Sequence, residues 1–565
     1  MTAQEIRERI IGAVSRNGGH LASSLGAVEI AMALNEVFDA GKDRIVWDVG
    51  HQAYAWKILT GRDGRFDTLR RRGGIAPFPL PSESPADATV SGHAGVALST
   101  ALGLAAARDR TGGANHVVAV IGDSSIVNGT SFEALNNCAS ATGKIIVVLN
   151  DNKMSISRPA GSFSRFLGRL ITGVRYNRVK KAAENAGHAL KLTFLRGLYH
   201  SVESRIKGLF LGNRLFEQMG LRYIGPVDGH DLKALTGAFT VAKEDKRAVI
   251  VHVVTKKGRG FAPAERNPTA WHGVGPFEGG ELPAKKGGTW SDAFGEALLG
   301  FAKKDARVVA LTAGMKDGTG LAGFEREFPD RFFDVGISEG HMLAFAGGLA
   351  AGGMRPVVAV YSTFLQRAVD QLMHDVAIAN LPVVVCVDRA GVVGADGVTH
   401  QGLYDIAMLR CLPNLTIVQP KDAEDLEALL SEALERNGPT VIRYPRGQVP
   451  EKTAADSVPA KPRYAIWATG DWYGKAREIA GRTGSVAVHA RTIKPFDAAL
   501  LKSQREAGMK IVCIENGCVA GGLGEAIGAD FRFGWPDCYI PHGSPMELEK
   551  EFGLDADSIT EVLNG

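Results

Sequence analysis

A rhythm in the chain constrains its fold most: short runs of β-branched and aliphatic residues alternate with longer segments of helical pattern. Val117–Ile121, Lys144–Leu149 and Val249–Val254 read as strands in the first half, and Val308–Leu311, Val357–Val360, Val383–Val387 and Leu415–Val418 in the second. These runs are nearly continuous in apolar character, as expected of strands covered on both faces of a parallel sheet. Gly95–Arg108 and Ala423–Arg436 suit the crossover helices between such strands. Two α/β domains follow, and strands around Val486–His489 and Ile511–Glu515 predict a third. Glycine clusters at the ends of apolar runs, as in Val120–Asp123 and Val392–Gly397, where a backbone without Cβ can approach a ligand closely.

A chain of 565 residues is too long for one core. Gly273–Trp290, rich in Gly, Pro and Lys, and Tyr444–Arg463, rich in Pro and Ala, read as linkers, so the expected domains are 1–285, 286–455 and 456–565. Met342–Tyr361 is the longest apolar region, but its glycines and its Arg355-Pro356 step make it a buried helix, a turn and a strand, and no membrane span is expected. Between Arg165 and Arg214 lie eleven Lys or Arg residues against Glu184 and Glu203. That segment is either a solvated helical excursion, or a cover over an anionic substrate or a docking surface.

The net charge of +4 is small for this length and argues against a nucleic-acid binder. The first residues are charged and hold no signal-type apolar stretch. The six cysteines include no metal-type pair. Together these features predict reduced, mostly structural thiols in a cytoplasmic protein.

The most informative local signal is a pair of strand ends. Val117-Val-Ala-Val-Ile-Gly-Asp123 stops at a carboxylate, and Lys144-Ile-Ile-Val-Val-Leu-Asn-Asp-Asn152 stops at a carboxamide 29 residues further on. In an open α/β sheet ligands bind beyond the carboxyl ends of the strands, where both side chains would meet. A carboxylate, an amide oxygen and a backbone carbonyl form a hard oxygen site suited to Mg²⁺ bridging a diphosphate. The alternative is that Asp123 and Asn152 each cap a helix.

This arrangement resembles the Gly-Asp-Gly…Asn motif of thiamine diphosphate enzymes. The wider pattern resembles the 1-deoxy-D-xylulose-5-phosphate synthase family over about residues 5 to 563. The resemblance is carried by Gly18–Gly26, Trp47–Tyr54, Ile224–Asp231, Tyr361–Arg367, Asp388–His400 and Arg443–Gly447, which occur in family order. It implies a three-domain transketolase-like architecture and a homodimer, with the active site between the first two domains of one chain. The reaction implied is the thiamine diphosphate- and Mg²⁺-dependent joining of pyruvate to D-glyceraldehyde 3-phosphate with loss of CO₂.

The same resemblance assigns residues. Asp123, Asn152 and the Met154 carbonyl would hold the metal. His51, Gly92, His93, Ala94, Ser124, Ser125, Asn152, Phe261 and Glu339 would surround the cofactor. Glu339, expected at a strand end and protonated through burial, would drive the aminopyrimidine tautomer. His20, His51, His272 and His400 would serve the reacting carbonyl groups as donors and proton carriers. Tyr361, Arg389 and Arg446 would hold the acceptor's phosphate, and Asp396 its hydroxyl groups. Four positions depart from the family pattern: Ser124 for Gly, Ala94 for Ser, Phe261 where Tyr is frequent, and Gly340 for Gln. A related thiamine enzyme with other substrates, or a cofactor-binding paralogue without catalysis, therefore stays open as an alternative.

Overall fold

The computed structural model describes residues 1–152, 212–283, 287–451 and 459–565. The expected domain boundaries, Met154 and nearly all of the basic 165–214 segment lie outside the described residues. The chain divides into two compact units, one of Met1–Leu69 with Ile75–Leu282 and one of Arg70–Gly74 with Pro283–Gly565.

The first unit is built on β1 (Arg44–Trp47), β2 (Val117–Gly122), β3 (Ile146–Asp151), β4 (Arg222–Asp228) and β5 (Val249–Val254). They form one sheet in the order β1-β2-β3-β5-β4, every pair parallel. Successive side chains leave a strand on opposite faces. Val118 and Val120 therefore enter one core while Val117, Ala119 and Ile121 enter another, and the central strands are apolar on both faces. Helices Ala97–Thr111 and Gly129–Ala141 cover one face; Asn128 starts the latter by accepting the Thr130 N–H.

The second unit holds two sheets. Strands β6 (Val308–Thr312), β7 (Phe332–Asp334), β8 (Arg355–Tyr361), β9 (Val384–Asp388), β10 (Thr416–Val418) and β11 (Thr440–Arg443) form the larger one. The smaller contains β12 (Tyr464–Ala468), β13 (Val486–His489), β15 (Lys510–Cys518) and β16 (Phe531–Trp535), all parallel; β14 (Thr492–Lys494) instead pairs antiparallel with β10 at the edge of the larger sheet. The larger order is thus β14-β10-β11-β9-β8-β6-β7. Thr289 and Asp292 make a capping box that starts helix Trp290–Lys304 over this sheet.

The strands expected from the sequence are present, with ends shifted by no more than three residues. β1, β4, β7, β11, β14 and β16 are additional strands, being short, mixed in composition or at sheet edges, and β12 is an additional central, fully buried strand. The linker reading of Gly273–Trp290 and Tyr444–Arg463 also needs refinement. Gly19 and Val274 form an antiparallel bridge, Phe277 donates to the Ser15 carbonyl, and Tyr444 is fully buried. Gly- and Pro-rich composition marks irregular backbone, which here is anchored at these points while many of its other described residues are exposed.

A buried polar junction joins the two sheets of the second unit. Arg443 donates to Asp405 Oδ2 at 3.0 Å, Gln419 Oε1 at 2.6 Å and the Asn516 carbonyl at 3.1 Å. Asn516 Oδ1 accepts from the Val392 N–H and from Trp535 Nε1, both at 3.0 Å, while Asn516 Nδ2 donates to Asp471 at 2.7 Å. This ties the loop after β9 to the smaller sheet. Removing one partner of such a buried pair leaves an uncompensated charge, so Arg443→Ala is expected to lower unfolding free energy by about 3–5 kcal/mol, read from the urea midpoint. A shift under about 1 kcal/mol would show that the junction is not a structural keystone.

Candidate active site

In the first unit the chemistry-bearing residues follow the carboxyl ends of the parallel strands. Asp48 and His51 come after β1, Asp123–Ser125 after β2, Asn152 after β3, and Thr255 and Lys257 after β5. Three imidazoles converge there: ring centroids lie 6.1 Å apart for His20 and His51, 5.7 Å for His20 and His272, and 5.3 Å for His51 and His272. His272 arrives on the strap that bridges Val274 to Gly19, and Ser23 Oγ lies 3.2 Å from its Nδ1. Burial, and then the neighbouring positive groups, hold His51 and His272 well below the usual imidazole range.

Asp123 and Asn152 stand at adjacent parallel strand ends, as the Gly122–Asn150 register requires. Asp123 caps no helix, since helix Gly129–Ala141 takes its cap from Asn128. Burial raises the Asp123 carboxyl to about 8, Asp151 adds to this, and Lys257 pulls the other way. Burial in turn brings the Lys257 ammonium down to about 8, against Asp123. Among the described residues no three His, Cys, Asp or Glu side chains cluster as a metal cage. A cation here would rest on Asp123, Asn152, backbone carbonyls and ligand oxygens, a donor set that fits Mg²⁺ on a diphosphate. Ser124 Oγ is buried with no hydrogen-bond partner among the described residues, and so is available to such a ligand. Ser125 differs, because its hydroxyl serves Asp48.

Asp48 organises the neighbouring loop. Its carboxylate accepts the Gly95 N–H at 2.9 and 3.1 Å and the Ala97 N–H at 3.2 Å, which anchors the chain directly after Gly92, His93 and Ala94. Gly95 has φ +87°, and a Cβ there would stand 2.5 Å from Asn128 Cγ, so only glycine fits. Below β3, Tyr223 Oη lies 2.8 Å from His252 Nδ1, and His252 Nε2 lies 3.0 Å from Asp151 Oδ2, a buried chain beside Asp123. Phe261 is half-buried, its ring 5.1 Å from Trp271 and 6.1 Å from Phe277.

In the second unit, chemistry-bearing residues likewise follow the ends of β7, β8, β9 and β11. Glu339 is the first residue of helix Glu339–Ala351, which corrects the expected strand end: four residues of irregular backbone separate it from Asp334, where β7 stops. At a helix N-terminus the dipole favours a carboxylate, but the side chain is 3% exposed and burial raises its pKa despite Arg367. Arg367 Nη2 donates to Glu339 Oε1 at 3.0 Å; Oε2 is buried without a partner among the described residues. Leaving such a group unsatisfied costs about 1–3 kcal/mol, which a nitrogen heterocycle could offset.

Tyr361 ends β8, and the Arg389 guanidinium lies 4.0 Å over its ring. Arg389 follows β9 in the left-handed region at φ +58°, a conformation that costs a non-glycine residue roughly 1–3 kcal/mol and fixes the guanidinium's direction. Arg446 stands close enough for Arg389 to lower its pKa. Asp396 pairs with Arg70 at 2.8 Å. His400 lies 2.9 Å from Thr399 Oγ1 through Nδ1, with its ring 5.7 Å from Phe364, and burial brings it down to about 4. Burial also lifts Asp388, which accepts from Ser291 Oγ at 2.6 Å, to about 6.

The structure thus brings His20, His51 and His272 together in one unit, and Tyr361, Arg389, Asp396, His400 and Arg446 in the other. Sequence reasoning missed Asp48, Lys257, Arg70 and Arg367. Lys257 carries a signal in hindsight, the Lys256-Lys257-Gly-Arg-Gly run directly after a buried strand, and Arg70 opens the run Arg70-Arg-Arg-Gly-Gly.

Known proteins match this architecture domain by domain. A family model described as 1-deoxy-D-xylulose-5-phosphate synthase matches residues 1–255, the transketolase pyrimidine-binding domain matches 286–452, and the transketolase C-terminal domain matches 476–559. These define a transketolase-type, thiamine diphosphate-dependent transferase. Over 99% of its length the chain is 46% identical to 1-deoxy-D-xylulose-5-phosphate synthase 2 of Geobacter sulfurreducens, spanning 94% of that protein. It is also 46% identical to the synthase of Syntrophotalea carbinolica, covering 99% of this chain and 93% of the other. The chain belongs to the 1-deoxy-D-xylulose-5-phosphate synthase family. Transketolase from Leishmania mexicana is a distant structural likeness, 17% identical with a TM-score of 0.46 over 100% of this chain and 97% of that one.

His400 is held below its unfolded value of about 6.5, so the unfolded chain takes up its proton first as pH falls. Its contribution is intact above that value and is lost as pH falls toward about 4. The stability of His400→Gln relative to the parent is therefore expected to be constant above pH about 7 and to move in the variant's favour below pH about 6. Thermal melts at stepped pH check this, and a pH-independent difference would refute the buried neutral imidazole.

Proposed function

We propose that this chain joins pyruvate to D-glyceraldehyde 3-phosphate, releasing CO₂ and 1-deoxy-D-xylulose 5-phosphate, with thiamine diphosphate and Mg²⁺ bound. Family membership over nearly the whole chain supports the reaction. The observation that carries the chemistry is Glu339, a buried carboxyl with one oxygen open. When bound, the cofactor supplies a carbon nucleophile that accepts a 2-oxo acid and promotes its decarboxylation.

The chain's own residues divide the remaining work. Asp123, Asn152 and the Met154 carbonyl hold the cation. Ser124, His93 and the backbone of Gly92–Ala94 receive diphosphate oxygens, and Lys257 offsets their charge. His51, Ser125 and Phe261 complete the cofactor's surroundings. Glu339 holds a proton at the aminopyrimidine through Oε2. His51, His272 and His400 are neutral imidazoles near neutral pH, and together with His20 they are able to donate to a carbonyl oxygen and to return a proton. Arg389 and Arg446 bind the acceptor phosphate beside the Tyr361 hydroxyl, and Asp396 takes its hydroxyl groups. Domains at 1–285, 286–455 and 456–565, a homodimer and a cytoplasmic setting complete this reading. Six free cysteines support the last. Among the described residues no helix is long and apolar enough to cross a membrane.

Mass spectrometry of products from the purified protein with both substrates, thiamine diphosphate and Mg²⁺ tests this directly. A deoxyketose phosphate that disappears when any component is omitted is expected. Consumption of pyruvate with another product would mean that Ala94, Ser124, Phe261 and Gly340 redirect the chemistry. Glu339→Ala is expected to lower kcat by about 10²–10⁴-fold with the fold intact. Arg446→Ala is expected to raise KM for the phosphorylated acceptor roughly tenfold or more while leaving pyruvate nearly unchanged. Equal losses for both substrates would remove the phosphate role.

A further inference from the structure

The carboxyl at the start of helix Glu339–Ala351 is gripped from one side only. Arg367 Nη2 donates to Oε1 at 3.0 Å, the two side chains being 17% and 3% exposed, while Oε2 is buried and unpartnered among the described residues. Arg367 sits in the 3₁₀ turn Gln366–Ala368, which runs on into Val369–Gln371. That stretch comes close to the Glu339 turn because residue 340 is glycine. A Cβ there would stand 2.9 Å from Gln371 Oε1 and 3.7 Å from the Arg367 carbonyl oxygen. A larger side chain at 340 would have to displace the Gln371 carboxamide, next to the segment that carries Arg367.

We infer that Arg367 is a positioning residue for Glu339: by occupying Oε1 it leaves Oε2 as the one oxygen free to meet a ring nitrogen of the cofactor, and it sets the pH range over which the pair keeps its proton. This rests on the aminopyrimidine reading of Glu339 given above. The single Nη2–Oε1 contact holds one carboxyl oxygen from a rigid, planar donor group, whereas a lysine ammonium is a compact charge on a flexible stem. The other charged groups nearby are committed elsewhere. Asp370 accepts from Gln371 Nε2 at 2.9 Å, Asp334 accepts the N–H groups of Gly314 and Gly336 at 2.7 and 3.0 Å, and the His341 ring stacks on Phe345 at 5.7 Å. Burial favours the protonated carboxyl, and Arg367 opposes it by charge and by hydrogen bonding. Removing the cation destabilises the carboxylate, so proton release moves to higher pH.

The test uses the protein loaded with thiamine diphosphate and Mg²⁺ and needs no turnover. Near-ultraviolet circular dichroism follows the aminopyrimidine tautomer against pH, and NMR follows hydrogen–deuterium exchange at the thiazolium C2. Arg367→Met is expected to move the tautomer midpoint up by about one pH unit or more and to slow C2 exchange at least about tenfold. An unchanged midpoint with parental exchange overturns the inference. Should the Met variant not fold, Arg367→Lys decides: slower exchange at an unchanged midpoint supports positioning by the rigid guanidinium, and parental exchange overturns it. A parent protein that binds no cofactor, or binds it without C2 exchange, sinks the functional reading and this inference with it.

Discussion

Parallel strand pairing is the constraint on which the rest of this structure depends. A parallel strand can be reached again only through a crossover, so the carboxyl ends of the parallel strands in a sheet fall on one edge. That geometry gathers Asp48, Asp123, Asn152 and Lys257 in the first unit, and Tyr361, Asp388, Arg389 and the Arg443–Arg446 turn in the second. Residues hundreds of positions apart thus become neighbours without any local signal of their proximity. The apolar strands also provide the low-dielectric wall against which these polar groups stand.

That wall perturbs the ionisable groups. A carboxylate withdrawn from water is destabilised unless a cation or a set of N–H groups meets it. The chain resolves this differently from place to place. Asp48 is met by backbone N–H groups, Asp405 by Arg443, and Glu515 by the N–H groups of Leu523 and Gly524. Those three organise structure. Glu339 is satisfied only in part, with one oxygen held, and Asp123 has its carboxyl raised by burial with Lys257 nearby; incomplete satisfaction and perturbed carboxyls of this kind are characteristic of binding sites.

The departures from the family pattern take on physical meaning in the same terms. Ser124 places a buried, uncommitted hydroxyl beside Asp123, so a diphosphate oxygen has a donor there. Phe261 retains its aromatic packing against Trp271 and Phe277. Gly340 leaves the room that the Gln371 carboxamide takes beside the Glu339 turn.

Much of this was legible in the sequence. The central strands were, because burial on both faces demands continuous apolar runs, and so were Asp123 and Asn152, because strand ends in parallel sheets face ligands. The quoted motifs contain His20, His51, Arg389 and His400. Edge strands such as β4 and β14 were not legible, since half of their pairing and one face are open and composition is free to vary. Nor was the partnership of Arg367 with Glu339, or of Arg70 with Asp396, because ion pairs between distant segments leave no periodicity. The sequence by itself determined the α/β class, the family and the chemical kinds of side chain available. The tertiary structure alone decided which oxygen of Glu339 stays open, which imidazoles cluster and which carboxylates are satisfied, because those depend on burial and on distances between residues far apart in the chain.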